Sequence, residues 1–242
     1  MPDRIFSDPR LAEIYDIVDS DRSDLDHYMA MTDEFAVRSV LDIGCGTGTF
    51  ACLLAAKGMD ITGVDPAKAS LDVARAKPGA SGVCWVLGDA SDLPQLSVDL
   101  ATMTGNVAQV FLEDVEWTAT LLGIGSALRP GGRLVFEVRD PAQQAWRGWN
   151  YDDTFARVDL GVGGSVETWV ELVDVSLPLV TFRSMYCFEG DEKLVVSEST
   201  LRFREREEVE ASLSATGFRV DEVRDAPDRP SKEFVFVAGR AR

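Results

Sequence analysis

"LDIGCGTGTF" (residues 41–50) sets glycine at every second position, Gly44, Gly46 and Gly48, between two ordered-looking segments. Ahead of the glycines, 39–44 is a short apolar run that suits a buried strand. Behind them, 49–58 reads as a helix stopped at Gly58. Bare backbone between a strand and a helix lets the chain turn sharply and lets a ligand approach the main chain. A tight turn alone would need the same glycines, so the neighbouring acids decide. Asp65 closes the next strand-like run, 60–65. It lies about 20 residues past the loop, the spacing at which a carboxylate accepts ribose hydroxyls. Asp89 ends the run after that, 83–89, on the same rim of the sheet.

Outward from this unit the elements alternate. Helices are expected at 67–77 and 113–128, and strands at 98–104 and 131–140. Strands separated by helices imply right-handed crossovers and a parallel sheet covered on both faces. Residues 10–37 read as helical. Beyond 140 the pattern breaks. Between 162 and 204 there are three runs with period-2 alternation, including Val166, Val170 and Leu172, then Val180, Phe182, Tyr186 and Phe188. These suit an antiparallel sheet with one covered face. A helix (204–217) and two strands (218–226 and 233–240) follow.

Composition narrows the function. The chain has 242 residues, enough for one large domain with an insertion. It contains no apolar run long enough to span a membrane and no secretory leader pattern, so a cytoplasmic location is expected. A net charge of −17 disfavours nucleic-acid partners. One histidine and four cysteines without a Cys-x-x-Cys pair argue against a metal site. Reduced, mostly buried thiols are expected instead.

The segments "VLDIGCGTGTF", "GVDPAKASLDVARAK", "VLGDASDLP" and "LRPGGRLVFEV" resemble the motifs of class I S-adenosylmethionine-dependent methyltransferases of the small-molecule type. The resemblance implies a Rossmann-like α/β fold. Its seven-stranded, mostly parallel sheet would have helices on both faces, a last strand inserted antiparallel, and a small antiparallel sheet added after strand five. It implies an N-terminal helical cap (1–38), a cofactor-binding domain (39–140 and 205–242) and an inserted sheet or lid (141–204). It implies S-adenosyl-L-methionine as cofactor and S-adenosyl-L-homocysteine as product. Asp42, Gly44, Cys45, Gly46 and Gly48 would hold the methionine end, Asp65 the ribose, and Pro66, Asp89 and Ala90 the adenine. Thr104 and Gly105 would border the methionine end, with Tyr15 and Tyr28 closing the site from the cap. "IYDIV" and "DHY" in that cap resemble the N-terminal pattern of amino-sugar N-methyltransferases.

Methyl transfer from a sulfonium is an in-line displacement, so orientation and a dry pocket matter more than acid-base chemistry. A base is needed only for a protonated acceptor. The catalytic candidates are His27, Tyr28, Glu137 and Arg139, with Asn106 and Gln109 nearby on the rim. Arg139 would bind an acidic substrate group bidentately; a structural ion pair with Asp140 or with a helix is the alternative. The aromatic run "AWRGWNYDDTF" (145–155) is either a pocket wall or a plug beneath the inserted sheet. The expected reaction is N- or O-methylation of a small molecule, with a homodimer through the inserted sheet as one assembly. Two other readings remain: a cofactor-binding module without turnover, and a nicotinamide-dependent oxidoreductase. The second would want its third glycine at position 49, which is Thr49.

Overall fold

The computed structural model describes residues 1–90, 92–191 and 194–240. The N-terminal segment is helical, as expected, in three pieces. These are α1 (Arg4–Ser7), α2 (Pro9–Val18) and α3 (Asp26–Glu34). Pro9 opens α2 behind Asp8, whose side chain caps Arg10 N–H. The polar stretch 19–24 separates α2 from α3, and Leu25 returns the chain to the core.

The main sheet then assembles in alternation: β1 (Ser39–Ile43), α4 (Thr49–Ala56), β2 (Asp60–Asp65), α5 (Lys68–Ala76), β3 (Val83–Leu87), β4 (Val98–Met103), α6 (Asp114–Ala127) and β5 (Leu128–Arg139). The insertion contributes α7 (Tyr151–Thr154), β6 (Ala156–Asp159), β7 (Ser165–Ser176), β8 (Leu179–Phe188) and β9 (Leu194–Arg202). The chain returns through α8 (Arg206–Ala215), β10 (Phe218–Asp225) and β11 (Glu233–Arg240). The order in the seven-stranded sheet is β10-β11-β5-β4-β1-β2-β3. The strands from β5 to β3 are parallel, while β11 runs antiparallel to both β5 and β10. This is the doubly wound, mostly parallel arrangement expected, with the last strand inserted as expected.

Alternation along β5 distributes its side chains between two cores. Leu134, Phe136 and Val138 face α6 and α8, where Trp117, Leu121, Ile124, Val209 and Leu213 are buried. Val135 faces the opposite side with Tyr28 and Met31 of α3 and Phe50 and Leu54 of α4. The inserted sheet has four strands, β6-β7-β8-β9, one more than the alternating runs suggested. β6 is short and follows the aromatic run. The third run begins at Lys193, which lies outside the described residues, as do the last two residues of the expected cofactor-binding domain. One face of the inserted sheet is covered by the cap, where Leu11 and Ile14 pack on Val166, Tyr186, Phe188 and Val195. Leu172 is exposed, because the β7–β8 hairpin runs on beyond that cover. The thiols are less buried than expected: only Cys45 is buried, and Cys84 lies exposed on edge strand β3.

Candidate active site

The glycine loop leaves β1 with Gly44 N–H and Cys45 N–H both donating to Val64 O, at 2.9 and 3.1 Å. Gly44, Gly46 and Gly48 all have positive φ, at 67°, 53° and 77°. A side chain is excluded at the two outer positions by contact as well. A Cβ on Gly44 would lie 2.5 Å from Val107, and one on Gly48 2.5 Å from Trp85. At Gly46 nothing lies within 4 Å. The loop is thus packed at both ends and open in the middle, which is a cradle for a ligand lying against its backbone.

One carboxylate holds that loop and a second is buried where it leaves β1. Asp65 accepts from Gly46 N at 2.8 Å and from Ala67 N at 2.7 Å. Burial pushes its carboxyl up, while the two backbone donors pull it back. Each oxygen keeps a lone pair for a further donor such as a ribose hydroxyl. Asp42 is buried beneath the loop and accepts Thr102 Oγ1 at 3.0 Å. Burial pushes it up to about 7. Cys45 is buried beside them, and burial pushes its thiol up. Pro66 and Asp89 are exposed on the same rim and Ala90 is buried next to them. Thr104 is half-buried and Gly105 exposed at the end of β4.

The cap closes over this loop. Asp16 of α2 accepts Thr47 Oγ1 at 2.7 Å and Thr49 Oγ1 at 3.0 Å and pairs with Lys77 at 2.6 Å. Burial pushes Asp16 up, but its bonds from Lys77 and the two threonines outweigh it, so its carboxyl lies below the ordinary value. Tyr15 sits one residue earlier, against Phe6 with ring centroids 5.8 Å apart. Burial, with Asp19, pushes its phenol up to about 12. Asp16, Thr47, Thr49 and Lys77 were not among the residues singled out from sequence. Nothing in their spacing announces a junction between three elements.

A second group of polar residues is buried beside the cradle. Period 2 carries Val135 to Glu137 on β5 and Val237 through Val235 to Glu233 on β11, so both carboxylates face α3. Tyr28 donates its hydroxyl to Glu137 Oε2. Asn106 N–H donates to Glu137 Oε1 at 2.5 Å, and Asn106 Nδ2 to Glu233 Oε1 at 3.2 Å. Asn106 adopts φ 62°, a left-handed conformation that asparagine tolerates better than most. Burial pushes Glu137 up to about 8, despite the Asn106 donor. Arg139 does not pair with Asp140. Its guanidinium donates to Gln109 Oε1 at 3.0 Å and lies 3.7 Å from Glu233. Arg229 pairs with Glu233 at 2.9 Å. His27 is tucked against Tyr28 at 3.9 Å between centroids, with Nδ1 4.0 Å from Asp228. Burial pushes its imidazole down. Its Nε2 and Asn106 Oδ1 are buried without a partner among the described residues.

The aromatic run splits. Trp146 and Trp149 pack under the inserted sheet, Trp146 edge-on to Phe203 at 4.8 Å and Trp149 on Phe182 at 4.6 Å. Tyr151 and Phe155 lie exposed. Of the two expectations, the first pair acts as a plug. Trp149 also reaches the rim, where Arg139 lies 5.8 Å from its ring.

A glycine cradle at the carboxyl end of β1, acids at the ends of β1 and β2, and an antiparallel β11 between β5 and β10 define the class I methyltransferase fold. Residues 40–132 match the family model described as "Methyltransferase domain". Over that stretch the chain is similar to the class I S-adenosylmethionine-dependent methyltransferases. It is 38% identical over 107 residues to a cypemycin N-terminal methyltransferase from Streptomyces sp, a match covering 44% of each chain. The chain spans less than half the length of the curated relatives it matches. A solved S-adenosylmethionine-dependent methyltransferase from Clostridium acetobutylicum ATCC 824 superposes with a TM-score of 0.77 at 17% identity, covering 96% of this chain and 98% of that one. The sugar N-methyltransferase KedS8 from Streptoalloteichus sp ATCC 53650 superposes with a TM-score of 0.76 at 19% identity, covering 91% and 88%.

Proposed function

We propose that this chain transfers a methyl group from S-adenosylmethionine to a nitrogen or oxygen of a small-molecule acceptor. The observation that carries the reading is the cradle itself, open at Gly46 and flanked by Asp65. The bound cofactor supplies an electrophilic methyl on a sulfonium. The chain's own part is to bind, orient and exclude water. Asp65 accepts the ribose hydroxyls and orders Gly46. Asp42 and Cys45 support the loop from beneath, and the segment through Thr104 and Gly105 borders the methionine end. Pro66, Asp89 and Ala90 border the adenine. Tyr15 and Tyr28 close the site from the cap.

The inserted sheet acts as a lid that shapes the acceptor pocket. Two contacts support this role: Gln109 Nε2 donates to Arg202 O at 3.4 Å, and Arg204 donates to Phe111 O at 2.8 Å, so the lid's exit strand grips the segment after β4. The relative described as an N-terminal methyltransferase and the neighbour described as a sugar N-methyltransferase favour a nitrogen over an oxygen acceptor.

The test is transfer of labelled methyl from S-adenosylmethionine to a panel of amino sugars, short peptides with free N-termini and phenols. Transfer to at least one, abolished by Asp65→Ala, is expected. No transfer to any acceptor, with cofactor binding intact, would leave a binding module without turnover.

A further inference from the structure

We infer that the buried group made by Glu137, Asn106 and Tyr28 is an ammonium-binding subsite, so the acceptor is a protonated amine rather than a hydroxyl. This rests on the methyltransferase reading above and narrows it. The subsite lies against the cradle. Val107, next to Asn106, closes the Cβ side of Gly44, and the Tyr28 ring lies edge-on to Phe50 of α4 at 6.2 Å.

The chemistry follows from what each polar atom lacks. Asn106 spends its backbone N–H on Glu137 and its amide NH2 on Glu233. The Glu233 acceptor fixes which way the amide points, with its NH2 toward that carboxylate, so the unpartnered buried atom is the carbonyl oxygen. What that oxygen lacks is a donor. Glu137 beside it is a buried carboxyl, and among the described residues no ion pair is made to it. The two guanidiniums nearby, Arg139 and Arg229, pair with Glu233 instead. A buried carboxyl without an ion-pair partner and an amide oxygen without a donor are together matched by an ammonium, which brings several N–H groups and a charge that favours the ionised carboxylate. A hydroxyl acceptor brings one donor and no charge, and would leave the buried carboxyl protonated.

The subsite also supplies the proton acceptor that an amine needs. The ammonium gives one proton to the Glu137 carboxylate, leaving a neutral nitrogen with a free electron pair. That pair forms the new N–C bond as the S–C bond breaks and its electrons stay on sulfur. The positive charge passes from sulfonium to the methylated nitrogen. The groups around Glu137 are Tyr28 from α3, Asn106 after β4, Arg139 on β5, Arg229 before β11 and Glu233 at its start, with His27 against Tyr28 and Asp228 against His27 one contact further out. Of these, Glu233 raises the Glu137 carboxyl and the two arginines lower it, with burial the largest influence.

The inference can be tested without knowing the acceptor. Sinefungin is an S-adenosylmethionine analogue with an amine-bearing carbon in place of the methylsulfonium, so it presents an ammonium where the methyl would stand. Calorimetry would compare its affinity with that of S-adenosylhomocysteine in the same protein. In the wild type the ratio favouring sinefungin should rise about tenfold from about pH 6.5 to about pH 9, as Glu137 ionises while the alkylamine stays charged. In Glu137→Gln, which keeps an oxygen for Asn106 N–H, the ratio of sinefungin to S-adenosylhomocysteine affinity should be flat and lower. A ratio independent of pH in the wild type, or equal in both proteins, would overturn the ammonium subsite and leave the cofactor reading standing. If the variant loses S-adenosylhomocysteine binding through misfolding, the wild-type profile alone decides. If the wild type binds neither ligand, the cofactor reading fails first and the subsite with it.

Discussion

Glycine is required at position 48 for two reasons, and they can be separated from the single reason at position 46. Gly48→Ala must strain a φ of 77° and also drive a methyl to 2.5 Å from the Trp85 ring. It should cost on the order of 1–3 kcal/mol in chemical denaturation. Gly46→Ala strains φ alone, so its stability loss should be about 1 kcal/mol, yet its methyl enters the open cradle and should weaken S-adenosylhomocysteine binding more than stability suggests. Equal effects at both sites would contradict the cradle. Glu137 makes a pH prediction of defined sign. Its carboxyl is raised from 4.5 to about 8 in the folded chain, so the folded state holds a proton that the unfolded state releases in between. Wild-type stability should therefore fall as pH rises through that window and level off above it. Glu137→Gln should escape this loss, gaining relative to wild type on the order of 1 kcal/mol per pH unit within the window. Thermal unfolding across pH checks it. The Asp42 carboxyl, raised to about 7, adds a fall of the same sign in both proteins. The glycines and the rim acids were legible from spacing alone. The partners of Glu137 were not, because Tyr28, Asn106 and Glu233 meet it only through the pairing of β5, β11 and the cap.

Between elements, the junction of α2 with the glycine loop and α5 is the contact most open to test. Asp16 ties Thr47, Thr49 and Lys77 together, so the cap's position and the loop's position are one arrangement. Lys77→Met should weaken S-adenosylhomocysteine binding about threefold to tenfold, in keeping with a partly exposed pair. It should also speed hydrogen exchange over Pro9–Val18 more than over β1. Unchanged exchange in α2 would show that the pair does not hold the cap. Element reading succeeded where the periodicity was long and clean, as in α4, α6 and the five parallel strands. It was coarse at the cap, where the helix boundaries around the polar stretch were not resolved, and it fell short at the inserted sheet. There β6 has only four residues and no apolar alternation to announce it. The exposure of Leu172 shows the same limit: alternation marks which residues share a face, but not how far the neighbouring layer extends over it.

For the whole molecule, the fold followed from the order of strand and helix signals, since parallel crossovers and the placement of the final strand leave few topologies. What could not be read was where the insertion lies against the cofactor domain, because that depends on packing between Trp146, Phe203 and the segment after β4. If the insertion is a lid for the acceptor, Trp149→Ala should depress turnover several-fold while S-adenosylhomocysteine affinity stays near wild type. A parallel loss of both would mark the sheet as structural. The account stands most directly on one titration of the wild type and Asp65→Ala with S-adenosylhomocysteine by calorimetry. It predicts one saturable micromolar site in the wild type, weakened at least about tenfold in the variant by loss of a charged hydrogen-bond acceptor, and no heat from nicotinamide dinucleotides. Equal affinity in the two proteins, or binding of a nicotinamide dinucleotide in place of S-adenosylhomocysteine, would contradict it.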